Sequence, residues 1–204
     1  MKNNFYITVA LLAPLSLHAA DPSMTQKERD QVIQLLKDSQ QEFVKAVTDL
    51  TDEQWRWKPS PERWSVGEVA EHVMLAETAL FSKMQEAIDK PANPDWEQKT
   101  KGKTELLLQV MAPRLGKAKS PEEIVPAGKL TRAEVMSGFA KVRARTLAFA
   151  EETQIALKEH TSEHPFQFFN TLNGYQWLIY IPLHNMRHDK QIEEVKATAG
   201  FPVK

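Results

Sequence analysis

The 204-residue sequence contains no cysteine, which excludes a disulfide, a thiol nucleophile, a cysteine ligand to a metal and a lipoprotein anchor. Glycine is scarce too, at seven residues. With abundant Leu, Ala, Glu, Lys and Gln, that scarcity favours helices over a turn-rich β architecture. Neither sign of charge dominates: 26 basic and 27 acidic residues give a net charge of −1, with no block of like charge. Neither nucleic acid nor an anionic membrane surface is therefore implied as a partner. A Gly-rich phosphate loop and a convincing Ser-His-Asp signature are also missing, which argues against nucleotide-dependent and serine-hydrolase chemistry. What is present, 42% hydrophobic residues, suffices for one domain with a sizeable core.

Residues 1–20 stand apart from that domain. Lys2, an apolar run from Phe5 to Leu17 broken by Pro14, and the sequence Leu17-His18-Ala19-Ala20 before Asp21 read as a secretory signal peptide. The run is too short for the roughly 20 residues that span a bilayer. Its removal leaves residues 21–204 as an exported domain, periplasmic or secreted, with no membrane anchor.

Helix starts recur along the rest of the chain. Thr25-Gln-Lys-Glu28, Ser65-Val-Gly-Glu68 and Thr131-Arg-Ala-Glu134 are capping boxes, in which the hydroxyl and the carboxylate each satisfy an orphan backbone N–H. A first helix carries the stripe Val32, Leu36, Phe43, Val47 and Leu50, widened by Leu35 and Val44, with a gap at Gln40. The second, running to about Asp89, carries Val69, His72, Ala76, then Ala79 or Leu80, and Lys83 or Met84. The third carries Val135, Phe139, Val142, Leu147 and Ala150. Asn173 caps the fourth, with Gln176 at N3. Between the first two helices, Trp55, Trp57 and Trp64 form an aromatic plug over one end of the core, with lining a pocket as the alternative. Residues 90–130 are a long connection with one amphipathic segment, Thr104 to Met111, whose simplest task is to cross from one end of a bundle to the other. Residues 157–173 are a polar and aromatic link containing His160, His164 and Pro165. The expected fold is all-α, a four-helix bundle with long connections between helices.

The fourth helix breaks its own pattern. Its stripe reads Trp177, Ile181, His184, His188, Ile192 and Val195, so two histidines occupy places that call for aliphatic residues. Pro182, one turn earlier, frees the Leu178 carbonyl and predicts a kink. Histidines at i and i+4 rise on one face and can share a metal ion at roughly 2.0–2.1 Å from each ring nitrogen. His72, among small residues on the second helix, is the candidate third ligand. The competing reading is three core histidines held by carboxylates such as Glu68 and Glu71. Glu68 itself is first a capping carboxylate, and otherwise an orienting group or fourth ligand. Three imidazole ligands leave an open position, which suits a catalytic ion better than a structural one.

Three separated motifs carry a resemblance: Trp64-Ser-Val-Gly-Glu-Val-Ala-Glu-His72, the Pro-rich middle followed by a helix with Phe139 and Arg143, and His184-x-x-x-His188-x-x-Gln191-Ile192. Together, over about Thr25 to Thr198, the chain resembles the DinB-like (DinB/YfiT) superfamily of metalloenzymes. The resemblance implies a four-helix bundle with His72, His184 and His188 holding a divalent metal, zinc or nickel first and iron next. Some relatives are thiol-dependent transferases or isomerases; the signal peptide departs from them, because an exported protein leaves the reduced thiol pool of the cytoplasm. The expected function is a metal-dependent hydrolase or transferase that activates water or a thiol against a small-molecule substrate, with no residue assigned as general base. The competing class is an exported module that binds a metal or small ligand without turnover. An apolar face left uncovered on the first or third helix would point to a homodimer.

Overall fold

The structure, a computed structural model, describes residues 20–114 and 119–203. The expected signal peptide lies outside the described residues except for Ala20. Four long helices form the body: α1 (Gln26–Thr48), α3 (Val66–Ile88), α6 (Arg132–Glu152) and α7 (Gly174–Lys196). All four capping signals are met, each with the reciprocal side-chain and backbone bonds of a capping box. Short helices α2 (Asp52–Arg56), α4 (Trp96–Thr100) and α5 (Lys103–Val110) and a 3-10 turn, Glu122–Ile124, occupy the connections. Among the described residues, no helix is long and apolar enough to cross a membrane.

Contacts along the helices fix their directions. Gly174 at the start of α7 lies against Ile88 at the end of α3, whereas His188 far along α7 meets His72 early in α3, so these two run antiparallel. Lys196 reaches Ala46 and Tyr175 reaches Gln31, so α7 runs parallel to α1. Met74 meets Gly138, and Glu77 meets Arg143, so α6 runs parallel to α3. Two successive parallel helices need a connection that returns the full length of the bundle, which is what residues 89–131 supply. The crossing role expected of this stretch is borne out.

One element departs from expectation. Within the link after α6, β1 (Thr161–Glu163) pairs antiparallel with β2 (Thr171–Asn173), Ser162 facing Leu172. Strands of three residues are too short to display the alternation by which a strand is read from sequence. This hairpin, with α5, covers faces of α7 that a simple bundle would leave wet, and residues 174–183 are buried without exception. The helix continues through Pro182.

The core is two apolar clusters. Val32, Leu36, Phe81, Met84, Leu157, Trp177 and Ile181 belong to one, and Phe43, Val47, Trp55, Val69, Val73, Phe139 and Ile192 to the other. Each such side chain contributes about 1.5–3 kcal/mol by leaving water. A polar layer lies between the clusters, and the sequence stripes had passed over it. Buried positions on α1 run Val32, Leu36, Ser39, Phe43, Val47, and on α6 Val135, Phe139, Arg143, Thr146, Ala150. Ser39, Arg143 and Thr146 therefore take the places assigned to a gap at Gln40 and to Val142 and Leu147, and Val44 is exposed. The Arg143 guanidinium donates to Glu77 Oε2 at 2.8 Å, Asn185 Oδ1 at 2.9 Å, Ser39 Oγ at 2.9 Å and the Leu36 carbonyl. One side chain thus joins all four long helices.

Candidate metal centre

His72 projects from the second turn of α3, His184 and His188 from successive turns of α7. Because the two helices pack antiparallel, one ring nitrogen from each histidine falls within 4.8 Å of the others. His72 and His188 are buried, whereas His184 is half-buried and faces a cavity. The expected trio is therefore brought together. His160 and His164 are not part of it: His160 Nδ1 donates to the Lys90 carbonyl at 2.7 Å, and His164 stacks on Trp177 with ring centroids 5.0 Å apart.

The outer nitrogens of two histidines are committed. His72 Nδ1 lies 2.7 Å from the Ile124 carbonyl oxygen, an acceptor only, so this nitrogen carries the proton. His188 Nδ1 lies 2.8 Å from Gln191 Oε1. Arg114 Nη1 donates to the same oxygen at 3.0 Å, which identifies it as the amide carbonyl and makes His188 Nδ1 a donor too. Both Nε2 atoms then present lone pairs, and they face each other at 3.2 Å. No proton lies between them in the neutral state. Burial, the largest cause for each, holds all three imidazoles below their ordinary pKa; for His184 and His188 repulsion from the neighbouring histidines adds to it.

This donor set fits a divalent cation. Nitrogens bonded at roughly 2.0–2.1 Å in tetrahedral directions stand about 3.3–3.4 Å apart, close to the separation observed. Hydrogen bonds from the outer nitrogens to fixed acceptors are the usual means of orienting such ligands. The carboxylates expected to hold the histidines do other work. Glu68 Oε2 accepts from Ser65 N at 2.7 Å and Oε1 from Lys58 at 2.9 Å. Glu71 accepts from the backbone N–H groups of Ala127 and Gly128 at 3.0 and 2.9 Å. It thereby anchors the end of the crossover that delivers the Ile124 carbonyl to His72. Gly128, at φ +67° with its Cα face against Glu68, adopts a conformation that costs other residues about 1 kcal/mol or more.

The cavity before His184 has a volume of about 840 Å³, within the range of small-molecule sites. Trp64 lies 4.9 Å from His72 between ring centroids and lines it, so it departs from the packing role expected of the tryptophan plug. Trp55 keeps that role: it is 5% exposed and lies where a Cβ on Gly67 would come within 2.5 Å of its indole nitrogen. Tyr180, Ile124, Arg114, Arg187 and the hairpin-tip residues Phe166 and Phe168 also line the cavity. Gln191 was legible as part of a motif, its role was not. Its position one turn after His188 was the available signal.

Comparisons with known proteins bear on the fold and the family. Uncharacterized protein YuaE of Bacillus subtilis (strain 168) is 29% identical over 149 residues, 72% of this chain and 86% of its own. The solved structure of YfiT from Bacillus subtilis, described as a probable metal-dependent hydrolase with an unusual four-helix bundle topology, matches with a TM-score of 0.59 at 14% identity. It spans 93% of this chain and 97% of that one, a likeness of fold. The sequence profile of the DinB superfamily matches residues 35–192, from the middle of α1 to the last turns of α7, and the chain belongs to that superfamily.

Proposed function

We propose that His72, His184 and His188 hold a divalent metal ion, zinc or nickel first and iron next, at the floor of a site where a small-molecule substrate undergoes hydrolysis or group transfer. The observation that carries this reading is the pair of facing Nε2 atoms, 3.2 Å apart with both outer nitrogens donating elsewhere. Two opposed lone pairs repel, and a shared cation turns that repulsion into binding. The description of YfiT as a probable metal-dependent hydrolase supports the same chemistry. With three protein ligands, such an ion supplies an open position at which water or a thiol becomes a stronger nucleophile near neutral pH.

The chain's own groups have definable tasks. Ile124 and Gln191 hold two imidazoles in the tautomer that offers Nε2 inward. Trp64 walls the site on the His72 side. Of the carboxylates near His72, Glu68 and Glu71 are occupied, so a proton acceptor would come from the cavity rim or from the substrate. Export to the periplasm or medium, expected from residues 1–20, belongs to the same proposal. It favours hydrolysis over transfer to a cytoplasmic thiol.

Elemental analysis tests the centre, on protein purified without chelator or histidine tag, beside His72→Ala and His184→Ala. The expected result is about one divalent ion per chain, lost in both variants while the helical signal persists. A wild type that stays unloaded after incubation with zinc, nickel and iron would return the three histidines to the core. Loaded protein that turns over neither ester nor thiol-transfer substrates, yet retains a small ligand, would favour the binding module.

A further inference from the structure

The walls of the cavity are both aromatic and charged. Trp64, Phe166 and Phe168 line it. Phe166, Phe168 and Val125 are 38%, 66% and 46% exposed, so three of the chain's exposed large apolar side chains gather at this one mouth. The charged lining has the opposite sign to the whole molecule. Among the described residues Arg63, Lys83, Arg114, Lys119 and Arg187 stand against only Glu62, Glu123 and Glu194, in a chain of net charge −1.

Two of the cations lie close to the histidines. Arg187 precedes His188 on α7 and lies four residues before Gln191, so the two residues stack one turn, about 5.4 Å, apart on a single face. Arg114 reaches that same place from the crossover, its Nη1 on Gln191 and its Nε on Glu194 at 2.9 Å. Its Nη2 has no hydrogen-bond partner among the described residues. The backbone of Arg114 is left-handed, with φ 56°, a conformation that is uncommon outside glycine and that clusters at functional sites. Arg114 and Arg187 repel each other, and Glu194 answers part of that charge, through Arg114 Nε and by its attraction for Arg187; an anionic group on a ligand adds to the same compensation.

We infer that the substrate is a small organic anion with an apolar, preferably aromatic, body: its acidic head is read by Arg114 and Arg187, and its body lies along Trp64, Phe166 and Phe168. This rests on the three-histidine centre being the site of reaction, because the head and body then flank the position where a bond would be cleaved or formed. It excludes organic cations and strongly disfavours neutral polar molecules.

The test is a binding series followed by tryptophan fluorescence and calorimetry, using 4-phenylbutyrate, its neutral counterpart 4-phenylbutanol, and acetate, on metal-loaded and metal-free protein. The acid is expected to bind at least about tenfold tighter than the alcohol or acetate in both forms. Arg114→Gln and Arg187→Gln should each lower the preference for acid over alcohol by about tenfold with metal content unchanged, and Arg187→Lys should keep part of it. Phe168→Ala should weaken acid and alcohol alike. Equal affinities for acid and alcohol, or a preference untouched by both arginine substitutions, overturns the inference. A preference seen only in loaded protein assigns the acid to the metal and overturns it too. A protein that takes up no metal but keeps the arginine-dependent preference refutes the metal centre alone.

Discussion

At the scale of single residues, Gln191 is the most economical point at which to disturb the site. It touches no reacting atom, yet its carbonyl oxygen fixes the proton of His188 and the position of Arg114. Gln191→Ala is expected to weaken metal binding about 10–100-fold with helix content intact, measured by competition with a chromogenic chelator; Gln191→Glu, which restores the acceptor, should recover it. Two other residues make folding depend on pH in opposite senses. Burial raises the Asp189 carboxyl from 3.8 to about 8, and Oδ2 has no partner. Its contribution is complete below pH 3.8 and is lost as pH rises to 8, because unfolding releases the proton that folding retains. In metal-free protein the thermal midpoint of Asp189→Asn should therefore gain on the wild type from about pH 5 to about pH 8. A constant difference would contradict it. Burial lowers His164 from 6.5 to about 4, so its contribution is complete above pH 6.5 and is lost as pH falls to 4. Its Nδ1 accepts from Phe166 N at 2.9 Å, and a proton there sets donor against donor. Faster amide exchange of residues 164–170 below about pH 5 would register the loss.

At the scale of elements, Arg143 on α6 is the decisive case. Arg143→Met is expected to lower stability by about 3–5 kcal/mol, because it strands the buried Glu77 carboxylate. The double variant Arg143→Met/Glu77→Met should regain most of that in chemical denaturation. A double variant as weak as the single would mean that packing around the guanidinium, not the stranded charge, dominates. This layer also marks where reading from sequence failed. The four long helices were legible because Thr25, Ser65, Thr131 and Asn173 are local signals, needing only residues three positions away. The metal-centre histidines were legible because imidazoles interrupted an otherwise apolar stripe. Ser39, Arg143 and Thr146 obey the same three- and four-residue spacing as their buried neighbours. Their polar side chains diverted the stripe to Val142 and Leu147, since burial of an arginine is decided by Glu77 and Asn185 on other helices. Ile124 and Arg114 were beyond reach for a related reason: they lie 52 and 77 residues from their partners, in a connection without periodicity.

At the scale of the whole molecule, the ring of helices alternates parallel and antiparallel neighbours, and the crossover this requires passes the mouth of the site. The segment that topology demands is also the one that brings Ile124 to His72 and Arg114 to Gln191. Helices α3 and α7, which carry the three histidines, are held level by Arg143, through Glu77 five residues after His72 and Asn185 one residue after His184. A slip of one turn would displace one helix by about 5.4 Å, more than the 4.8 Å that encloses all three ring nitrogens. The buried ion pair is therefore a gauge: it sets the tolerance to which a distant cluster of donors is assembled. The double variant, deprived of that gauge, should recover most of its melting point yet discriminate poorly among zinc, nickel and iron, and competition binding across the three ions would reveal the lost calibration.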